Sequence, residues 1–255
     1  QRYDFLLRNT DHYFYLSTYR VYAGAETPMT EASPRLLDNL NDHDFLATDD
    51  YSLFKARGED VLQNSAYDNW TIVRPAITYS KRRFQLVTLE APDLVGRALR
   101  GLPVVLPEAA RSVQATMSWA GDVATMFAGL LFNPAALREC FTFATSEHHT
   151  WGEIAEYYRE IIGLQYVWAD TEDYLKVKGG FKGVSGAWYQ LAYDRLFERV
   201  IDNSKVLRVA GLKQEDFMPL RKGLAEELTA LPEDIWSTPT PAWKRMDEYV
   251  ESIGD

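Results

Sequence analysis

The segment "TDDYSLFKARGEDVL" (residues 49–63) decides the fold because it predicts an amphipathic helix between two apolar segments. The sequence places Leu53, Phe54, Val61 and Leu62 on or near one face of that helix. The segments "HYFYLST" (12–18) and "WTIVRPAIT" (70–78) precede and follow it, and both are typical of short buried strands. Strands joined through a helix indicate a mainly parallel sheet covered by helices, and therefore an α/β fold.

The rest of the chain continues this alternation of strands and helices. The clearest helix is "TWGEIAEYYREIIG" (150–163), where Thr150 and Glu153 form a capping-box pattern and Gly163 ends the helix. Further helices are predicted at 91–101, 122–133, 202–211 and 218–231, and a further strand at 140–145. Residues 115–121 are either a strand or a loop, and the tail from Pro232 onward is an extended arm or a short helix.

The beginning of the chain presents a difficulty for a parallel sheet. "YDFLL" (3–7) is interpreted as a strand, and only "RNTD" separates it from the strand at 12–18. Parallel neighbours need a crossover of about a dozen residues. Either the two strands form an antiparallel hairpin, or a segment is missing after Leu7. We favour the second interpretation.

Composition limits the classes of function. The chain has 255 residues, of which 46% are hydrophobic and 25% charged, enough for one large domain or two small ones. The net charge of −10 disfavours nucleic acid as a partner. Cys140 is the sole cysteine, which indicates a reducing, cytoplasmic location. No apolar run reaches the ~20 residues of a membrane span, and four scattered histidines predict no metal site.

Tyr51 and Lys55 are the first candidates for chemistry, since they lie one helical turn apart on the same face. The pair could be a solvated surface contact, or Tyr51 could be a core residue with a snorkelling lysine beside it. Alternatively, Lys55 could lower the pKa of Tyr51, so that the phenol acts as an acid or base near neutral pH.

Four sequence blocks support the catalytic alternative by their order. "FYLSTYRVYAG" (14–24), the Tyr–Lys helix, "TIVRPAITYS" (71–80) and "SWAGDVATMF" (118–127) together resemble the extended short-chain dehydrogenase/reductase family of NAD-dependent epimerases and dehydratases. The segments at 150–168 and 200–212 also resemble the branch of that family that includes the chloroplast stem-loop-binding proteins.

This resemblance implies a fold and a division into domains. We expect residues 1–139 to form the remainder of a Rossmann-like dinucleotide-binding domain whose N-terminal strands are missing from the chain. We expect residues 140–255 to form a smaller, mostly helical substrate-binding lobe with a C-terminal tail, and the two parts to interleave.

The resemblance also assigns roles to individual positions. Tyr51 matches the catalytic tyrosine, Lys55 matches the lysine that binds the nicotinamide ribose of NAD or NADP, and Thr18 matches the hydroxyl that holds the reacting oxygen. The remaining expected contacts are Arg74 and Pro75, together with Tyr51 and Lys55, for the cofactor, and Tyr79, Arg82 and Arg83 for the substrate.

Several positions depart from the family pattern. Tyr19 and Arg20 stand where the dehydratases carry an Asp–Glu pair, so the dehydratase acid/base pair is absent. Ile77 stands where many sugar-nucleotide enzymes carry an asparagine. The family's glycine fingerprint is not found after a first strand, and "KGGFKG" (178–183) lies in the wrong half of the chain and is interpreted as a flexible loop. We therefore expect the first three strands of a natural chain to be missing.

The sequence thus predicts an NAD(P)-dependent oxidoreductase or epimerase with a sugar-like substrate that carries a nucleotide or a phosphate. The alternative is a non-catalytic protein with a dinucleotide-binding fold that binds RNA or a protein partner. The resemblance further implies a homodimer formed through the Tyr51 helix and its neighbour.

Overall fold

The computed structural model of the protein describes residues 2–183, 185–232 and 234–254. Its α-helices are α1 (Arg2–Arg8), α2 (Leu36–Asn39), α3 (His43–Leu46), α4 (Tyr51–Gln63), α5 (Ala91–Ala98), α6 (Ala120–Leu130), α7 (Trp151–Ile162), α8 (Thr171–Lys178), α9 (Gly186–Gln190), α10 (Ser204–Ala210), α11 (Leu220–Thr229) and α12 (Pro241–Gly254). Its strands are β1 (Tyr13–Leu16), β2 (Trp70–Pro75), β3 (Ile77–Tyr79), β4 (Gln85–Leu86), β5 (Leu89–Glu90), β6 (Val104–Pro107), β7 (Gln114–Ala115), β8 (Met117–Trp119), β9 (Glu139–Phe143), β10 (His149–Thr150) and β11 (Tyr166–Ala169).

The chain divides into two compact units, each assembled from three segments. Unit 1 consists of Gln1–Ile77, Thr116–Ser146 and Arg199–Phe217, and unit 2 consists of Thr78–Ala115, Glu147–Glu198 and Met218–Asp255. The sequence analysis predicts two interleaving parts that meet between residues 139 and 140. Strand β9, which begins at that point, pairs with β2 inside the sheet of unit 1.

Unit 1 is built on a three-stranded parallel sheet in the order β1-β2-β9. On one face, Val73 and Phe141 pack with Met126 of α6 and Val206 of α10. On the other face, the buried residues that pack together are Leu7 of α1, Leu62 of α4, and Trp70 and Ile72 of β2. The predicted parallel arrangement is therefore confirmed, and apolar burial on both faces of the sheet stabilises it.

Unit 2 combines two-stranded sheets with most of the longer helices. β6 and β11 pair in parallel, whereas β7 with β10 and β4 with β5 pair antiparallel. The capping box predicted for α7 is confirmed: Thr150 and Glu153 exchange side-chain-to-backbone hydrogen bonds, and Gly163 follows the helix with a φ of 69°. No helix among the described residues is long and apolar enough to cross a membrane.

The strand prediction for "YDFLL" is wrong, because these residues lie in helix α1. Only Leu7 of this helix is buried. The chain then passes directly into β1 through a turn that Asn69 holds, since its side-chain amide donates to the carbonyls of Leu7 (2.8 Å) and Thr10 (2.7 Å). A helix precedes β1, so no crossover is required after Leu7 and the expected missing connection at that point is wrong as well.

The C-terminal tail also differs from its prediction. Residues 241–254 form α12, a helix of 14 residues that buries Ala242, Trp243 and Met246. An extended arm or a short helix was predicted because the tail from Pro232 is rich in proline and tryptophan. The apolar positions inside α12 recur at helical spacing, and its packing against α8, α5 and β6 within unit 2 stabilises the helix.

Candidate active site at the carboxyl end of β1

The carboxyl end of β1 carries Ser17 and Thr18, both of them buried. Thr18 precedes a single 3-10 turn (Tyr19–Val21), and its Oγ1 accepts a hydrogen bond from the backbone N–H of Arg20 at 3.3 Å. The Thr18 hydroxyl therefore caps this turn as an acceptor, and its own O–H hydrogen stays available to donate.

Tyr51 and Lys55 occupy the first two turns of α4, as the spacing predicts. Asp50 caps the helix by accepting from the Ser52 backbone N–H (2.8 Å) and hydroxyl (2.6 Å). This cap directs Tyr51, the first helical residue, outward, and 48% of its surface is exposed. The interpretation of Tyr51 as a core residue is therefore excluded, because a core residue would be buried.

The structure brings Lys55 together with Tyr51 and with the end of β1. The Lys55 ammonium donates to the carbonyl of Leu16, the last residue of β1, at 2.7 Å. It lies 5.6 Å from the ring centroid of Tyr51 and 5.4 Å from that of Tyr15. Partial burial lowers the pKa of Lys55. The ammonium is thus held between two aromatic rings at the strand end, with N–H donors to spare.

Tyr15 and Tyr51 flank the same ammonium but have different environments. Burial, followed by the charge of Glu59, raises the pKa of Tyr15 to about 12, and its hydroxyl donates to the Lys55 backbone carbonyl at 3.3 Å. Tyr15 therefore remains protonated near neutral pH. Tyr51 is the phenol of this pair that faces solvent, so it is the one that can reach a ligand.

Arg20 is a residue of this site that the sequence analysis did not identify. Its guanidinium carbon lies 5.5 Å from the ring centroid of Tyr51, and one of its nitrogens lies 3.8 Å from the Asp50 carboxylate. The available signal was its position two residues beyond Thr18, from which only the absence of an acid was inferred.

Arg74, predicted to contact the cofactor, lies in a buried ionic cluster. Its guanidinium donates twice to Glu59, at 2.9 and 2.7 Å, and once to the carbonyl of Glu31 at 3.3 Å. Glu59 also accepts from the Ser17 hydroxyl (2.5 Å) and from Arg35 (3.2 Å). This cluster ties α4 to β1 and β2, and it uses three of the five N–H groups of the Arg74 guanidinium.

The other residues predicted to contact the cofactor or the substrate are Pro75, Tyr79, Arg82 and Arg83. Pro75 is the last residue of β2 and is half-buried. Tyr79 is fully buried and its hydroxyl packs against Gly223, so its position gives no support to a substrate contact. Arg82 and Arg83 are exposed, and Arg82 lines a cavity of about 380 Å³ together with Asp234 and Trp236.

Three glycines have the spacing of a dinucleotide fingerprint but not its context. Gly180, Gly183 and Gly186 recur at every third residue. Gly180 and Gly183 lie between α8 and α9, and Gly186 begins α9, which has only five residues. The fingerprint needs a strand before the turn and a helix after it that can hold a pyrophosphate. Within the described ranges no cluster of three or more His, Cys, Asp or Glu side chains could hold a metal ion.

Comparison with known proteins shows which fold contains this site. No family model matches the sequence, and no curated protein matches it either. Solved structures do match. The UDP-glucose 4-epimerase of Thermotoga maritima, solved with UDP-glucose, is 16% identical, with a TM-score of 0.62, covering 88% of this chain and 66% of its own. The UDP-glucuronic acid 4-epimerase of Bacillus cereus, solved with UDP-glucuronic acid and NAD, is 15% identical, with a TM-score of 0.61, covering 86% and 60%.

An epimerase of Methanothermobacter thermautotrophicus matches over 99% of this chain and 64% of its own, with 12% identity and a TM-score of 0.62. These likenesses establish that the protein has the Rossmann-like α/β fold of the NAD-dependent epimerases and dehydratases, which confirms the predicted fold class. The chain spans 60–66% of the length of these three structures.

Proposed function

We propose that the protein is an NAD(P)-dependent oxidoreductase or epimerase whose substrate is a sugar that carries a nucleotide or a phosphate. The observation that carries the proposal is the Lys55 ammonium, which is anchored at the carboxyl end of β1 and lies beside the exposed Tyr51 ring. In open parallel sheets, ligands bind outside the carboxyl ends of the strands. The proposed catalytic residues are Thr18, Tyr51 and Lys55.

The three side chains divide the chemistry of oxygen protonation among them. Tyr51 gives or takes the proton of the reacting sugar hydroxyl, and the Lys55 charge stabilises its phenolate. The Thr18 hydroxyl, which accepts from Arg20 through its oxygen, donates its hydrogen to the same sugar oxygen. A cofactor supplies the hydride acceptor when it is bound.

The described residues fit one end of a nicotinamide dinucleotide. Lys55 and Tyr51 suit the nicotinamide ribose, because both expose polar atoms at the strand end, and Pro75 closes the neighbouring strand. Arg74 is less suited than the sequence predicts, since Glu59 holds its guanidinium. For the pyrophosphate, no strand, turn and helix among the described residues form a glycine-rich cradle. The proposed activity therefore requires such a cradle in addition to them.

The fold neighbours support a nucleotide sugar as the substrate class, since those named above were solved with UDP-glucose or UDP-glucuronic acid. Epimerase chemistry suits the site better than dehydratase chemistry. Dehydration needs an acid/base pair beyond the tyrosine, and Tyr19 and Arg20 stand in its place. The resemblance of α7 and α10 to the stem-loop-binding branch, a cytoplasmic location and the choice between NAD and NADP stay predictions.

A homodimer through α4 is part of the proposal. Phe54 and Val61 lie on the exposed side of this helix, with 61% and 42% of their surfaces accessible. Covering them by a second α4 would remove apolar area from water. Light scattering should give twice the monomer mass of 29.2 kDa, and Phe54→Asp should return the monomer. A stable complex with another protein through this surface would favour the non-catalytic alternative.

The direct test of the proposed function follows the cofactor. The protein, in its natural full-length form, is mixed with NAD or NADP and a panel of UDP-sugars, and absorbance of the reduced nicotinamide and epimerised product are measured. We expect turnover of at least one sugar, and its loss in Tyr51→Phe. The absence of both cofactor binding and turnover with every sugar tested would favour the binding-protein alternative.

A further inference from the structure

We infer that Tyr15 is a positioning residue of the candidate site, where it fixes the Lys55 ammonium beside the Tyr51 ring. The inference rests on the proposed function for the role of Lys55 in the reaction. It goes further because it assigns a role to a residue that acts through Lys55 and does not touch the substrate.

Tyr15 contacts Lys55 at both ends of the lysine. Its ring centroid lies 5.4 Å from the ammonium nitrogen, and its hydroxyl donates to the Lys55 backbone carbonyl at 3.3 Å. An ammonium over the face of an aromatic ring is attracted to it, which favours the charged form and one direction of the side chain. A single residue of β1 therefore holds both the backbone and the charge of Lys55.

Gly58 of α4 makes this contact possible. A Cβ atom added at Gly58 would meet the Tyr15 hydroxyl and would lie 2.5 Å from the ring carbon that carries it. Carbon atoms pack at about 3.5–4.0 Å, so the ring reaches the backbone of α4 only because no side chain stands there. A glycine inside a helix lowers its stability, so the space that Tyr15 needs is a physical reason for glycine at this position.

The environment of Tyr15 suits support of Lys55 rather than proton transfer. Because burial and the charge of Glu59 raise its pKa to about 12, Tyr15 remains a hydrogen-bond donor near neutral pH. Tyr15 is half-buried and packs against the apolar cluster that contains Leu62, whereas 48% of the Tyr51 surface is exposed. The two tyrosines therefore divide the work: Tyr15 positions the ammonium from the core, and Tyr51 faces the ligand.

The test measures how firmly Lys55 is held, independently of any activity. The natural full-length protein is trace-labelled with acetic anhydride, which acylates uncharged amines, and the labelling of each lysine is quantified by peptide mass spectrometry. Lys244 is the internal reference, since 83% of its side chain is exposed. Circular dichroism and thermal unfolding confirm that each variant is folded.

The variants separate the ring of Tyr15 from its hydroxyl. Tyr15→Leu removes both, Tyr15→Phe keeps the ring, and Gly58→Ala displaces the ring without changing Tyr15. Tyr13→Leu is the matched control, because Tyr13 is another half-buried tyrosine of β1 and packs against the same apolar cluster. If Tyr15→Leu does not fold, Gly58→Ala provides the same comparison with Tyr15 intact.

We expect labelling of Lys55, relative to Lys244, to be about two- to fivefold faster in Tyr15→Leu, because the ring covers the ammonium and favours its charged form. Gly58→Ala should have a similar effect and should add nothing to Tyr15→Leu, since both changes remove the same contact. Tyr15→Phe should lie close to the wild type, and Tyr13→Leu should match it. Unchanged labelling of Lys55 in Tyr15→Leu, or an equal increase in Tyr13→Leu, would overturn the inference.

A kinetic measurement separates this inference from the proposed function. For a sugar that the wild type turns over, Tyr15→Leu should lower kcat by about two- to fivefold and leave KM for the sugar nearly unchanged, because Tyr15 acts through Lys55. Faster labelling of Lys55 in Tyr15→Leu, with no turnover by the wild type, would leave the positioning role standing and remove the enzymatic proposal. Turnover that depends on Tyr51, with labelling and kcat both unaffected by Tyr15→Leu, would do the reverse.

Discussion

Helix α4 carries two charged clusters that lie one turn apart and have opposite characters. Glu59 is fully buried, and Arg74, Arg35 and Ser17 all bond to it. Lys55, four residues earlier, donates to a backbone carbonyl and lies beside an exposed tyrosine. The charges of the first cluster satisfy one another, whereas the proposed function assigns the second cluster to a ligand.

If the proposed function is right, this difference separates structural charges from functional ones in unit 1. A buried carboxylate is tolerated only when paired and hydrogen-bonded, so Glu59 and Arg74 require each other. A partly exposed lysine that donates to a backbone carbonyl needs no carboxylate partner. The two clusters should therefore respond to mutation in opposite ways, one in folding stability and the other in activity.

The largest expected effect is that of Tyr51→Phe on activity. The change removes only the phenol oxygen, so we expect turnover to fall by about 10²–10⁴-fold because the proton donor is lost. Steady-state kinetics and cofactor titration measure it, with cofactor affinity nearly unchanged. Tyr67→Phe is the control for turnover, since Tyr67 bonds to Asp4 and Arg8 in a different part of unit 1. Full activity in Tyr51→Phe would remove this residue from the mechanism.

Glu59→Gln should show the opposite response. It leaves the Arg74 guanidinium buried without its anion, so we expect the free energy of unfolding to fall by about 3 kcal/mol. Urea denaturation measures this loss. The matched control is Glu160→Gln, whose partner Arg221 is exposed, with an expected loss below ~1 kcal/mol. Equal losses in the two variants would show that the buried cluster does not stabilise the fold.

Lys55→Met should change binding more than stability. It removes the ammonium at the end of β1, so cofactor affinity and turnover should fall together, by about tenfold or more for a charged hydrogen bond. Fluorescence titration with NAD measures the cofactor affinity, and steady-state kinetics measure the turnover. A large loss of thermal stability with cofactor affinity intact would instead place Lys55 among the structural charges.

The smallest expected effect is a dependence of stability on pH. Partial burial lowers the pKa of Lys55 in the folded protein below its ordinary value of 10.5. Between these two pKa values the unfolded chain binds more protons than the native protein, so the stability contribution of Lys55 rises with pH. Urea unfolding of the wild type and of Lys55→Met, at several pH values in that window, should show a steeper rise for the wild type. If the free energy of unfolding changed with pH equally in the wild type and in Lys55→Met, the pH dependence could not be assigned to Lys55.

Prediction from sequence succeeded where a local rule settles the structure. The capping box of α7 and the glycines after α7 and α10 need only neighbouring residues, and all are confirmed. It failed at "YDFLL", because a short apolar run is compatible with either a strand or a helix. Only contacts with Asn69, far along the chain, show how this segment enters β1.

In the candidate site, too, some features follow from local sequence and others only from the fold. The four-residue spacing of Tyr51 and Lys55 places both on one face of α4, and the sequence by itself determined this, because the helical period acts on near neighbours. Only the tertiary structure decided that Arg74 turns inward to Glu59 and that Arg20 lies beside Tyr51. Each of these choices depends on segments distant in sequence that meet only once the sheet and α4 have packed. Arg74 and Arg20 carry the same charge, so the sequence alone does not distinguish them. Their burial and their contacts in the folded protein decide the role of each.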